Sequence, residues 1–432
     1  MKLNIVNSNV VTGDGVSFLE DTSVVIEDGF ISDLPRIKYI PYSFYIDEYI
    51  NAQGGLVIPG LMDIHTHGTS FGPFLPYAWK RLSAERILFN LNTHLLEGTT
   101  TVMDADGWSL PFEVDAINKI HPMNVKTATL YTPKNMRAAE IIAGDGLDEF
   151  HRKMTAEEAV QLGAVAIGEI GSPGTTAGTA EKRKRLGKII SVVQARALDN
   201  AVVADDSAQI RKVLKEIGFE KMTIDEAKKL VEETSLIPIQ ACCDAIREST
   251  TYVKKLGVPA HAHSEPGMKE ALLDVAEQIG PELIAAHANH SFTLEENIKF
   301  AIELKRLGAT VEAISADYFG AKQVEPSPAT TFALFKEGLV DVLATDFSGG
   351  YHEPMLSVLQ KAIEEKALTL PKAIQLVTSN VAKAVPRLAP HRGLIEVGKV
   401  ADLCIVDKND ISKIKYVLIA GRVVVKDGRI VA

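Results

Sequence analysis

Eight short apolar runs, each followed by an amphipathic stretch, constrain this chain more than any other feature. They are Leu56–Thr66, Thr99–Asp104, Val125–Leu130, Ala164–Glu169, Val258–His263, Leu283–His287, Thr310–Ile314 and Val340–Asp346. Strand-like runs alternating with helix-like segments are the pattern of a parallel sheet, and eight is the number a (β/α)8 barrel needs. Helices such as Ala84–Leu96, Met268–Ile279 and Leu294–Leu307 are predicted between them. A doubly wound open sheet shares the alternation. It is disfavoured because polar residues collect at the C-terminal ends of many runs, where barrels carry their chemistry. The predicted class is α/β, built on a barrel.

The two ends read differently. Roughly the first 55 residues and the last 40 alternate apolar and polar residues between Gly, Asp and Asn turns, as short antiparallel strands do. They predict a small β-domain assembled from both termini, so that residues 1–55 and 389–432 flank a barrel over 56–388. One connection is too long for a helix and two loops. About 173–236, from Pro173 to Leu236, reads as a helical insertion after the fourth run, with Thr223 capping its last helix.

Composition sets outer limits. With 432 residues, 46% hydrophobic and 24% charged, the chain can bury a large core. A formal net charge of -10 argues against nucleic acid as a partner. The one basic cluster, EKRKRLGK from Glu181 to Lys188, is expected to be a solvated helix face. Cys242, Cys243 and Cys404 match neither a disulfide framework nor zinc-ligand spacing, and read as small buried hydrophobes. No run reaches the roughly 18 apolar residues of a membrane span, and the N-terminus alternates like a strand rather than a signal peptide. A cytoplasmic protein with no membrane partner is expected.

The residues that carry chemistry sit at the run ends. VIPGLMDIHTHGTS ends in His65 and His67, which as i and i+2 on a strand face the same way. Two neutral imidazoles so placed can share one divalent ion. GVPAHAHSEP repeats the arrangement with His261 and His263, LIAAHANHSF offers His287 and His290, and VDVLATDFSGG offers Asp346. Any one alone would be an ordinary core or loop residue. Together, at one face, they form a ligand set for zinc or a similar metal. AVAIGEIG adds Glu169, a lone carboxylate at the end of an apolar run, which must meet something cationic. Asp63 faces the same side as His65 and is expected to support it from below. His94 lies among core positions of a helix and reads as structural. Phe71, Phe74, Tyr77 and Trp79 wall either a pocket or their own loop. Tyr318 and Lys322 are placed near the mouth.

These motifs resemble the amidohydrolase superfamily over nearly the whole chain. PGLMDIHTHG is similar to its first-strand motif, LLEGTTTVMD to its second-strand segment, and GLIEVGKVADLCIVD with VLIAGRVVVKDGRIV to its C-terminal return. The resemblance implies a distorted (β/α)8 TIM barrel beside a small β-sandwich, with one or two metals in the barrel mouth. Carried over, His65 and His67 are the first-strand ligands, His287 the sixth-strand ligand and Asp346 the eighth-strand ligand that also handles the proton of the attacking water. On the fifth strand the family's spacing from Gly257 lands on His263. His261 is then an inward neighbour one layer down, hydrogen-bonded, and His290 and Tyr318 are further candidates. Where most two-metal members have a carboxylated lysine, this chain has Glu169. That resembles the enamidase-like branch of cyclic amide hydrolases, and some deacetylases.

The resemblance implies two divalent ions, zinc foremost, with iron or manganese as alternatives. It implies a small-molecule substrate and a homo-oligomer, tetramer or dimer. The expected reaction is hydrolysis of an amide C–N bond in a cyclic amide, imide or enamide, with Asp346 as proton shuttle. A heterocycle deaminase is the alternative, but Glu265 stands two residues after His263 rather than at the usual spacing of three. A non-catalytic scaffold would show broken ligand positions, and here all are filled.

Overall fold

The computed structural model describes residues 2–37, 47–172, 176–315, 328–348 and 352–431. Its middle contains eight parallel strands: β1 (Leu61–Thr66), β2 (Thr99–Asp104), β3 (Asn124–Thr127), β4 (Ile167–Ile170), β5 (Ala260–His263), β6 (Leu283–Ala286), β7 (Thr310–Ile314) and β8 (Val342–Ala344). β1, β2 and β3 pair in order, and β4 through β8 form a second parallel sheet. Single parallel bridges, Thr129 with Ile167 and Thr66 with Phe347, link the two sheets among the described residues. Nearly every strand residue is buried, as expected of parallel strands covered by helices.

The helices start and stop where local chemistry directs. Ala84–Leu96 begins after Ser83, whose hydroxyl accepts from Arg86 N. Leu294–Arg306 begins after Thr293, which exchanges hydrogen bonds reciprocally with Glu296. The helix predicted from Met268 starts at Lys269, after a short 3-10 turn. Between β4 and β5 lie helices Thr176–Leu186, Val192–Val203, Ser207–Glu216 and Ile224–Val231, then a π-turn that runs into Ile237–Leu256. Thr223 caps Ile224–Val231. The helices before the π-turn share an apolar cluster of their own, including Leu198, Ile210, Leu214 and Val231. The basic cluster is only partly the solvated face expected. Lys182 is buried, 3.0 Å from Asp199 Oδ1 and bonded to Ser235.

Both termini contribute strands to a seven-stranded sheet, and the N-terminal segment makes a four-stranded one. Leu3, Ile5, Ile26 and Ile31 of the smaller sheet meet Val57, Leu403, Ile405 and Leu418 of the larger in one apolar cluster. The run Leu56–Thr66, expected as one strand, is two. Leu56–Pro59 pairs antiparallel with Leu403–Val406, whereas Leu61–Thr66 pairs with β2. The break falls at Gly60, where a Cβ would stand 2.5 Å from Thr100 Oγ1. Other strands are shorter than their apolar runs. β6 and β8 stop before His287 and Asp346, which adopt left-handed φ of 63° and 53°. Cys242, Cys243 and Cys404 are buried, and no described helix is long and apolar enough to cross a membrane.

Candidate metal centre

The C-terminal strand ends converge. His65 is the penultimate residue of β1 and His67 follows the strand's end, their rings 5.2 Å apart. Glu169 on β4 is 1% exposed, so its charge must be answered by protein groups. Four imidazoles answer it. His263 Nδ1 lies 2.6 Å and His287 Nε2 2.9 Å from Oε1, while His65 Nε2 and His67 Nε2 lie 3.6 and 3.7 Å from Oε2. Asp346 approaches from the other side. Its Oδ1 is 3.6 Å from His65 Nε2 and 3.4 Å from His67 Nε2, and its Oδ2 is 3.7 Å from His287 Nδ1. His287 and Asp346, both in the sparsely populated left-handed region, hold their backbones against a steric preference, as functional positions often do.

The spacing discriminates between a proton and an ion. Ligands about 2.1 Å from a tetrahedral ion stand about 3.4 Å from each other. The contacts of His65 and His67 Nε2 with Glu169 and Asp346, at 3.4 to 3.7 Å, fit that separation and are longer than an ordinary N–H···O hydrogen bond. His65 Nε2 and His287 Nδ1 are buried with no hydrogen-bond partner. His65, His67 and Asp346 form one group able to hold an ion, and His65, Glu169 and His287 another. These groups do not include His263, which hydrogen-bonds Glu169.

The electrostatics match a site made for positive charge. Burial pulls His65 down, yet Glu312, Glu169 and Asp346 outweigh it and hold the imidazole well above its ordinary range. Burial is likewise overcome at His67, raised to about 10 by Asp106 and Asp346, and at His263, raised to about 9 by Glu169 and Glu265. His287 falls to about 4 because repulsion from His263 adds to burial. Burial would lift Glu169, but His263 and His65 drive it well below the usual carboxylate range. The carboxylates thus gather protons onto imidazoles where cations would otherwise sit.

The remaining predicted residues take distinct places. His261 lies one layer down, its Nε2 2.8 Å from Glu312 Oε2. His290 is buried beside His287, ring centroids 5.2 Å apart, with Nδ1 2.6 Å from Ser291 Oγ. Asp63 accepts from His65 N at 3.0 Å, Thr345 N at 3.2 Å and Thr345 Oγ1 at 2.5 Å, tying β1 to the residue after β8. Burial raises its pKa to about 6 against those bonds. His94 is fully buried and pushed down to about 3 by burial, as a structural histidine is. Tyr77 and Trp79 stack edge to face, and Phe74 pairs with Trp79 through the backbone, so this loop packs on itself. Tyr318 and Lys322 lie outside the described residues. Glu265 points at His263 Nε2 from 3.8 Å, and both its oxygens accept from the single Nη2 of Arg196 at 2.7 Å each.

Two carboxylates were not singled out from the sequence. Asp106 Oδ1 is 2.8 Å from His67 Nδ1, and its Oδ2 accepts from Gly68 N at 2.9 Å. Glu312 Oε1 is 2.8 Å from His65 Nδ1. The signals were a charge after the second strand in VMDADGW and a lone one inside GATVEAIS.

Residues 56–431 match the sequence model of the amidohydrolase family. An imidazolonepropionase from Clostridium tetani is 24% identical over 441 residues, which cover 97% of this chain and 92% of that protein. A dihydroorotase from Citrifermentans bemidjiense is 24% identical, covering 89% of this chain and 85% of that one. Among solved structures, the β-aspartyl dipeptidase of Fervidobacterium islandicum AW-1 superposes with a TM-score of 0.58 at 17% identity, covering 100% and 99% of the two chains.

Proposed function

The chain belongs to the amidohydrolase family, and from that premise we propose a metal-dependent hydrolase that opens the C–N bond of a cyclic amide, imide or enamide. One observation carries the reading: Glu169 meets four imidazoles that come from three strand ends. The names imidazolonepropionase and dihydroorotase, borne by full-length relatives, favour a ring as substrate. The sheet order, with its two single bridges, supports a closed barrel over residues 56–388. The shared apolar cluster supports a β-sandwich from residues 1–55 and 389–432, with Leu56–Pro59 added to it.

His65, His67 and Asp346 would hold one divalent ion. His263 and His287 would hold a second, with Glu169 between the two, its present hydrogen bonds giving way. Zinc suits this donor set first, and iron or manganese also fit imidazole and carboxylate. Bound there, the ions would lower the pKa of water and polarise a carbonyl. Asp346 then accepts the proton of the attacking water and delivers it to the leaving ring nitrogen, in general acid–base fashion. The cluster's burial keeps bulk water from competing for that proton.

Deamination of a heterocycle is the second reading, because Glu265 faces His263. It is disfavoured because Arg196 engages both Glu265 oxygens, holding the carboxylate ionised and unable to act as an acid. Metal-loaded protein should be screened against cyclic amides, imides, lactones and aminated heterocycles. Ring opening without ammonia is expected. Ammonia release with the ring intact would establish the deaminase instead, and less than about 0.2 metal per chain after supplementation would overturn both.

A further inference from the structure

Glu312 is a fully buried carboxylate in the middle of β7, in the otherwise uncharged strand TVEAI. Such a charge is costly to bury and persists only where specific partners hold it. Both its oxygens are used. Oε1 lies 2.8 Å from His65 Nδ1 and Oε2 lies 2.8 Å from His261 Nε2. The two rings also touch edge to face, with centroids 4.5 Å apart at 86°. β1, β5 and β7 are not neighbours in either sheet, so these contacts cross the interior.

His65, His261 and Glu312 are close enough to be considered for an ion themselves. The 2.8 Å spacing argues for protons instead. Two ligands of one ion would stand about 3.4 Å apart, whereas 2.8 Å is an N–H···O distance. A carboxylate acting as acceptor then fixes the proton of His65 on Nδ1. The other nitrogen, Nε2, is the buried atom with no hydrogen-bond partner, facing Glu169 and Asp346 at 3.6 Å each.

We propose that Glu312, seated by His261, is a positioning residue of the metal centre: it sets the tautomer and ring plane of His65 so that Nε2 is presented to the ion. This rests on the metal-centre reading above. Asp106 does the same for His67, but from the end of the neighbouring strand. Glu312 does it from across the interior, and so ties the centre's geometry to the packing of β5 and β7.

The test measures metal affinity, not turnover. Glu312→Gln keeps shape but removes the charge that accepts from both rings, and Glu312→Asp keeps the charge but is too short to span them. Zn2+ affinity would be read by competition with a chromophoric chelator, on protein verified as folded by circular dichroism. Wild type is expected to bind Zn2+, and each variant to bind the tighter ion about 10- to 100-fold more weakly. Unchanged affinity in a folded variant would overturn the inference and leave the metal-centre reading standing. Failure of both variants to fold would make Glu312 a structural residue and overturn it too. Absence of Zn2+ binding in wild type would overturn the metal-centre reading itself.

Discussion

Glu169 brings one negative charge to four imidazoles, and what removing it does depends on what it holds apart. With Glu169→Gln the shape remains but the charge shared by the two proposed ion positions is lost. Metal content after supplementation is expected to fall from two ions per chain to one or fewer, read by elemental analysis. A variant that kept two ions and full hydrolysis would exclude the bridging role. Asp346 has a different task, since it is placed to move a proton as well as to bind. Asp346→Asn is expected to cost about 100- to 10,000-fold in kcat on the ring substrate found by screening, with the acid limb of the pH–rate profile lost. The clustered imidazoles were legible in the sequence because residues two apart on a strand share a face, which makes His65 and His67 a pair without any structure. Glu312 and Asp106 were not. Which imidazole a buried carboxylate meets depends on which strands face each other, and local pattern does not encode that.

The helical insertion between β4 and β5 has its own apolar cluster, and Arg196 links it to the residues beside the centre. Arg196, on helix Val192–Val203, grips both oxygens of Glu265 and donates to Ser291 O at 3.0 Å. Arg196→Ala would leave the Glu265 carboxylate buried without its cation. The expected loss is about 2–3 kcal/mol, toward the low end for breaking a buried pair because a quarter of the Arg196 side chain is exposed. Limited proteolysis should show it as faster cutting between the insertion's helices, at 187–191 and 204–206, before the parallel strands are touched. Arg196→Lys should recover only part, since one ammonium nitrogen cannot reach both Glu265 and Ser291 O as the two guanidinium nitrogens do. Acid should mimic the substitution. Burial would raise the Glu265 pKa, but His263, Arg196 and His290 hold it down at about 2. Its contribution is therefore complete above the ordinary carboxylate range near 4.5 and lost as pH falls toward 2. A helix start such as that capped by Thr223 was readable from capping chemistry. The split of Leu56–Thr66 was not, because both halves are equally apolar and only pairing with Leu403–Val406 separates them.

For the whole molecule, the proposed metal centre is expected to be coupled to the fold through protons. In the metal-free chain the carboxylates raise His67 to about 10 and His263 to about 9, against burial, and hold His65 high as well. A raised imidazole pKa stabilises the folded state fully below the unfolded value near 6.5. That contribution is lost as pH climbs through 9 and 10. Chelated protein should accordingly melt at progressively lower temperature between pH 7 and pH 10, losing a few kcal/mol in all. Metal reverses the trend. A bound ion must displace those protons, so apparent affinity should rise with pH, by about one decade per pH unit for each proton released. The protein loaded with Zn2+ should then keep or raise its melting temperature over the same interval, because a tighter ligand of the folded state stabilises it further. Calorimetric titration in buffers of different ionisation enthalpy would count the protons directly. Release of about three at pH 7 is expected, one each from His65, His67 and His263. No proton release, with melting curves of chelated and loaded protein running parallel from pH 7 to pH 10, would mean that the ion binds elsewhere and that the imidazole cluster holds only itself together.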